Sequence, residues 1–489
     1  MIFQKRDMAE AKKNSRSTKF IKDFGIYAIG NLGSKIITIL MIPLYTYFVE
    51  RPSDYGYFDL CLQVCLLLTP LVTLQLRDGA FRFLLETQDK EPRTQIVSSV
   101  YRAIFFTTIS TAVIAVGISQ FYTIKYLWCT VLLLVVMAFY EVLAQVTRGL
   151  GNNKAFIAAG LIASFGIGLF SLIFVAWFKM GILGIFLANI FARLLSLALV
   201  ELKMKTLVRF FSVKVDIRTI TRDLLFYSIP LIPATLCGLL PHLTDRLFLW
   251  KLHSLEQSGI YAIAVRTSGI INNLAIIFYQ TWQENAIQQY NSKDRDKFFS
   301  KVFNSYVFIL AIALIGFIFV LKACPWIVSV NYRPAFIYLY PLALSLVIAA
   351  VGNYFYLPYQ CAKDTVWTLP SVVIVVVLNI VFNFLLVPKY GIFGVTVTAI
   401  LAYSAMTIFL WFNTRKYFTL HFEYRTIVPI AVMIVSIIPY YYLSTPFFAL
   451  IYMLIAESCI IMTLPQELKN DITKMIKMVF SKSKNKKSD

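Results

Sequence analysis

Apolar positions in this chain fall into blocks of about twenty residues separated by short polar connections. The blocks cover 24–48, 57–78, 97–118, 126–147, 155–177, 180–202, 224–250, 258–282, 301–321, 335–360, 366–387, 391–413, 427–444 and 447–464. Each is close to the ~20 residues a helix needs to cross the ~30 Å hydrocarbon core of a bilayer. The pattern predicts an all-α integral membrane protein with about fourteen transmembrane helices. An even number of crossings puts both tails on one side, so every connection can be assigned a side.

Composition supports this and charge refines it. Hydrophobic residues make up 59% of the 489 and mean hydropathy is +0.71, far outside the soluble range. A net charge of +21 would suggest nucleic acid in a soluble chain. Here 34 of the 46 Lys and Arg lie in the tails and tail-side connections, seven lie opposite, and five lie within spans. That asymmetry fits the positive-inside rule with both termini cytoplasmic, so the basic excess is topological and nucleic acid is not an expected partner. The seven cysteines are odd in number and mostly sit in apolar helix. Cys61 and Cys65 share a helix face without a nearby His, which reads as small buried residues, not a disulfide or metal site. The first 23 residues carry seven Lys and Arg ahead of a span too long for a signal-peptide core, so nothing reads as cleaved.

The chain also echoes itself. KMGILGIFLAN at 179–189 returns as KYGIFGVTVTA at 389–399, and Gly56-Tyr57-Phe58 returns as Gly259-Ile260-Tyr261. Six spans separate the copies, so the halves share an orientation and form a parallel repeat, with the substrate route expected between them. The expected organisation is an N-terminal six-helix bundle (1–202), a basic interfacial linker (203–223), a second six-helix bundle (224–415), two additional spans (416–464) and a basic tail (465–489). The linker and the run Ile472, Met475, Ile476, Val479 read as amphipathic segments lying against membrane lipids. Span seven holds Pro230, Pro233 and Pro241, which makes it the candidate for a bent or broken helix that moves in transport. Gly160, Ser164 and Gly168 form a small-residue series suited to close helix packing.

Five cations, Lys35, Arg102, Arg193, Arg246 and Arg266, lie inside apolar spans. A central Arg or Lys facing lipid costs roughly 2.5–3.5 kcal/mol, so such residues face a protein-lined or wet interior and suggest an anionic guest. On span eight Arg266, Asn273, Gln280 and Glu284 recur near whole helical turns and form one polar stripe. Span one places Asn31, Lys35 and Thr38 on a shared face, and span two carries Asp59, Gln63 and Arg77. Gln63 is the repeat partner of Arg266. The competing reading is structural pairing, such as Lys35 with Asp59 or Asp245 with Arg266. Arg102 and Arg246 lie near span ends, where snorkelling competes with cavity lining, and Arg193 has Glu141 as a possible mate. Tyr354, Tyr356 and Tyr359 belong to an interface belt or to a sugar-stacking surface. No GxxxxGK[ST] loop is present, so the chain has no nucleotide-hydrolysing engine of its own. The connections are too short for a catalytic domain. A secondary transporter without a cofactor is the expectation.

Asp245-Arg246-Leu247-Phe248-Leu249 followed by Gly259-Ile260-Tyr261-Ala262-Ile263-Ala264-Val265-Arg266 resembles the second-half signature of the oligosaccharide flippase family, in the multidrug/oligosaccharidyl-lipid/polysaccharide superfamily. Asn31 to Lys35, Pro43 and Gly56-Tyr57-Phe58 resemble its first-half counterpart, and the KxGIxG copies open the corresponding helices. The resemblance implies two six-helix bundles plus two C-terminal helices in a bacterial inner membrane. It also implies a flippase that moves a polyprenyl-pyrophosphate-linked oligosaccharide, such as an O-antigen or capsule repeat unit, by alternating access beside a glycan polymerase and other assembly proteins. Lys35, Arg77, Arg246 and Arg266 would meet the pyrophosphate, and Asn31, Gln63, Asn273 and Gln280 the sugar. Asp59, Asp245, Pro233 and Pro241 would serve coupling or gating. The alternatives are a cation-coupled multidrug exporter of the same fold, which calls for a more acidic interior, and a non-transporting scaffold of a polysaccharide synthesis complex.

Overall fold

The computed structural model describes residues 37, 39–87, 89–206, 218–362, 364, 367–465 and 469. Asn31, Lys35, Thr38, the side chain of Glu284, positions 207–217 of the basic joint and the 472–479 run lie outside the described residues. Thirteen described helices are long and apolar enough to cross a membrane. The shorter apolar helix Ile39–Phe48 stands where the first span is expected. The protein is an all-helical, multi-pass membrane protein, with thirteen candidate spans and this shorter helix among the described residues.

Several helices outrun the hydrophobic blocks that predicted them. Leu255–Gln289 has 35 residues, about 52 Å at 1.5 Å per residue, so it projects past the bilayer on the basic side. Its start is fixed by Ser254, whose side chain accepts from the Gln257 N–H at 3.2 Å, satisfying an otherwise orphaned donor. The second span stops earlier than its hydrophobicity suggests. Pro52–Val72 ends where Leu74 and Gln75 take left-handed backbone conformations, and Gln75 N–H donates to Pro70 O at 3.0 Å. A separate helix, Leu76–Glu86, follows. Arg77 therefore does not continue the face of Asp59 and Gln63.

Span seven is broken as its prolines predict. Arg218–Ser228 gives way to a tight turn at Ile229–Leu231 and then to Ile232–Leu252. Pro230 has no N–H for the helical ladder, while Pro233 sits in the first turn of the second piece, where that N–H is not needed. Pro241 lies inside the helix, and the Thr244 hydroxyl donates to its carbonyl at 3.0 Å. The first piece packs on the N-terminal half, with Leu224 buried among Leu76, Ala80, Val97 and Val100. One span thus begins against one half and ends within the other.

The repeated glycines have matching structural roles. Gly181 and Gly391 both turn into their helices with φ near +56° and +55°, a region that costs glycine little. A Cβ at Gly184 would press on Phe174 O at 2.9 Å and one at Gly394 on Leu386 O at 2.7 Å. In both copies the second glycine lets the helix lie directly on the backbone of the preceding one. The series Gly160, Ser164, Gly168 packs only in part: a Cβ at Gly168 would lie 3.3 Å from Ile37 of the first span, while the contact with Gly181–Met204 runs through Gly166 and Ala159. A Cβ at Gly160 would meet nothing, while one at Gly166 would meet Ala192 at 3.0 Å, and Ser196 donates to Ala159 O at 2.9 Å.

The tyrosine group near 354–359 is core. Tyr354 stacks on Trp282 at 5.3 Å with planes 8° apart, and both Tyr354 and Tyr359 are fully buried. Tyr356 shares a hydrogen bond with Ser371 Oγ at 2.7 Å. Sugar stacking by this group is excluded in this conformation because Tyr354 and Tyr359 have no free face.

Candidate functional site between the two halves

Pro52–Val72 and Leu255–Gln289 cross at the glycines of the second echo. Gly56 and Gly259 meet backbone to backbone, so a Cβ at Gly56 would lie 2.6 Å from Gly259 N and one at Gly259 would overlap the Pro52 carbonyl. Only glycines allow two helices to approach this closely. Elsewhere on the second-half helices, a Cβ at Gly238 or Gly269 would meet nothing within 4 Å. Gln63 and Arg266 each lie seven residues past the crossing on their own helices, at matched depth.

The charges nearest the crossing are divided between partners by helix geometry. Asp245 and Arg246 are adjacent and therefore point about 100° apart on their helix. Arg246 reaches the first half, where its Nε donates to Asp59 Oδ2 at 2.8 Å, and it is only 3% exposed. Its Nη1 also donates to His242 O at 2.9 Å, and its guanidinium lies 5.1 Å from the Tyr261 ring centre. Asp245 turns to neutral donors. Asn379 and Asn383 donate to its Oδ1 at 3.0 and 2.8 Å, and the Tyr261 hydroxyl to its Oδ2 at 2.7 Å. The expected pair of Asp245 with Arg266 does not form, and Lys35, the expected mate of Asp59, lies outside the described residues.

Breaking a buried ion pair on one side leaves an uncompensated charge and costs about 3–5 kcal/mol, whereas replacing both partners by apolar groups is often neutral. Arg246→Met is therefore expected to lower the thermal midpoint of the purified protein sharply, and Asp59→Leu with Arg246→Met to restore most of it. A single variant as stable as wild type would show that the pair does not hold the halves together.

Arg266 is placed differently. Its Nη1 donates to Tyr55 Oη at 2.9 Å and its guanidinium lies 5.1 Å from the Tyr45 ring centre. Its Nε is buried without a hydrogen-bond partner among the described residues. None of the described ion pairs involves it. Arg193 is a second such guanidinium. Among the described residues it donates to Asn189 of its own helix, at 3.0 Å to both the backbone and the side-chain oxygen, and its electrostatic neighbours are Tyr140, Glu141, Cys65 and Tyr45. Glu141 is held instead by Arg77, which also lies 3.7 Å from Asp78. Arg266 and Arg193 thus both lie within electrostatic reach of Tyr45, one from each half.

Of the other expected site residues, Gln63, Asn273 and Gln280 are half-buried. Arg77 is drawn away to the Glu141 pair, and Arg246 is sealed by Asp59. The sequence reading undervalued Arg193 and passed over Asn379 and Asn383. Those two asparagines, four residues apart in an apolar span, carry the usual signal of intramembrane polar groups with a specific partner.

The profile of the polysaccharide biosynthesis protein family matches residues 20–282, more than half of the chain. The chain belongs to this family. No curated protein sequence matches it. Among solved structures it is similar to the lipid II flippase MurJ in an inward closed conformation, with a TM-score of 0.71 and 14% identity, covering 90% of this chain and 97% of that one. It is also similar to an inward-facing multidrug resistance MATE family transporter of the MOP superfamily, with a TM-score of 0.63 and 13% identity, covering 80% and 98%. A MATE protein in the bent conformation follows at 0.53 and 13%, covering 86% and 99%. At these identities the likeness shows a shared fold. This polysaccharide biosynthesis family protein shares its membrane-spanning fold with a lipid II flippase and with MATE transporters.

Proposed function

We propose that the protein moves a polyprenyl-pyrophosphate-linked oligosaccharide, such as an O-antigen or capsule repeat unit, across the bacterial inner membrane by alternating access, with both termini cytoplasmic. The observation that carries this reading is Arg266, a guanidinium at the junction of the halves whose described partners are a phenol and an aromatic face. A desolvated cation hydrogen-bonded to a neutral phenol, with Asp59 in electrostatic reach but bonded to Arg246, favours an anionic guest, and a planar guanidinium suits phosphate oxygens in particular. Arg193 adds a second cation from the other half, and Gln63, Asn273 and Gln280 supply amides for sugar hydroxyls. Asp59 stays with Arg246, while Asp245, ringed by neutral donors, takes the coupling charge. The break at Ile229–Leu231 and Pro241 let span seven bend.

The reading is tested by deleting the gene in its native host. Lipid-linked oligosaccharide should accumulate in the cytoplasmic leaflet, surface glycan should disappear, and the wild-type gene should restore it. Intact glycan together with a protein-dependent rise in resistance to cationic dyes would replace this reading with drug export.

A further inference from the structure

The face opposite the basic connections is sealed by a strap at 324–335 that grips the corner at 46–51. Carbonyls of the connection that follows the first span, at Val49, Glu50 and Arg51, accept from strap side chains. Tyr332, fully buried, donates to Val49 O at 2.8 Å and to Arg51 O at 3.2 Å. Asn331 donates to Glu50 O at 2.8 Å. The strap's Ser329 N–H also donates to Thr46 Oγ1 at 3.4 Å, and in the other direction Tyr47 donates to Trp326 O at 2.5 Å.

A single residue joins this seal to the candidate site. The Tyr55 ring meets Tyr332 edge-on at 6.3 Å and Tyr45 at 5.9 Å, while its hydroxyl accepts from Arg266. We propose that Tyr55 links anion capture to opening of this face: a phosphate drawing Arg266 off the Tyr55 hydroxyl frees the ring that supports Tyr332, and the strap lets go. This rests on the flippase reading and gives its conformational change a trigger. The direction follows from hydrogen-bond strengths. A phosphate offers the guanidinium opposite charge and two parallel acceptors where the phenol offers one neutral oxygen, so Arg266 exchanges partners when the anion arrives. Tyr55 then loses the bond that satisfied its buried hydroxyl, and its packed position becomes less favourable. Tyr55 is a positioning residue; it touches Arg266 and the gate.

The test is amide hydrogen exchange on the full-length protein in nanodiscs, with and without polyprenyl pyrophosphate, alongside direct binding of the radiolabelled lipid. In the wild type, exchange across 46–51 and 324–335 should accelerate about tenfold with the lipid. Tyr55→Phe keeps the ring and removes the hydroxyl whose lost bond drives release, so both segments should stay protected with and without the lipid. Tyr332→Phe, which removes the grip directly, should exchange fast in both conditions. If Tyr55→Phe binds the lipid and stays as protected and as responsive as wild type, the link through Tyr55 is wrong while the flippase reading stands. If wild type binds no polyprenyl pyrophosphate, the flippase reading fails and the link falls with it.

Discussion

Replacing Arg266 by Ala is expected to abolish surface glycan while leaving the protein's abundance in the membrane close to wild type. The two halves of that expectation have different causes. Truncating one partner of a buried charge contact with a ligand costs about 2–5 kcal/mol of binding, and each 1.4 kcal/mol is about tenfold in affinity. Binding of a pyrophosphate lipid should therefore weaken by well over an order of magnitude. Stability falls less than at Arg246 because the group left unsatisfied is the neutral Tyr55 hydroxyl, at about 1–3 kcal/mol, and not a charge. The contrast with Arg246 is diagnostic, since removing that residue strands Asp59 as a buried charge. Arg266→Lys should fall between, because a lysine keeps the charge and loses the planar fork that fits phosphate oxygens and stacks on Tyr45. Glycan blots with quantification of a tagged protein in the membrane separate these outcomes. Normal glycan in Arg266→Ala would remove this residue from the site.

Much of this architecture is written in the periodicity of the chain. Blocks of about twenty apolar residues set the spans because backbone groups in lipid must be satisfied within a helix. The two sequence echoes mark real contacts: Gly181 and Gly391 turn alike, and Gly56 and Gly259 are where the two halves touch. The break in span seven was also legible, because three prolines cannot all fit a straight helix. The division of charge among partners was not. A linear sequence shows that Asp245 and Arg246 are adjacent, but their fates depend on what lies 100° apart around the helix, Asp59 on one side and Asn379 with Asn383 on the other. Arg77 looked like part of a polar face only while span two was taken to continue to residue 78. Left-handed Leu74 and Gln75 redirect the chain, and neither residue type announces that conformation. The sequence offers Glu141 as a possible mate for Arg193, but Arg77 takes that acid. Intramembrane cations are thus easy to find in a sequence, while which of them remain available to a ligand is decided by tertiary competition for a few acids.

The crossing itself sets the second large expected effect. Gly259→Val places a branched side chain where even a Cβ overlaps the Pro52 carbonyl. The two spans must separate, and with them the seal formed by Tyr332 on Val49 and Arg51. Overpacking a well-packed contact typically costs about 1–3 kcal/mol. Here the obstruction is backbone, which no rotamer change relieves, so the upper end of that range applies. The expected result is a protein that inserts but unfolds at a markedly lower temperature, with fast hydrogen exchange at 46–51 and 324–335 and no surface glycan. Gly259→Ala should show the same pattern more mildly, because the clash arises at the Cβ. Gly269→Ala is the matched control on the same helix: its Cβ would meet nothing within 4 Å, and removing a helical glycine gives back about 0.5–1 kcal/mol. It should leave glycan intact and stability equal or slightly higher. If Gly259→Val were as stable and active as Gly269→Ala, the halves would not need to touch at this point, and the face opposite the basic connections would have to close by contacts elsewhere.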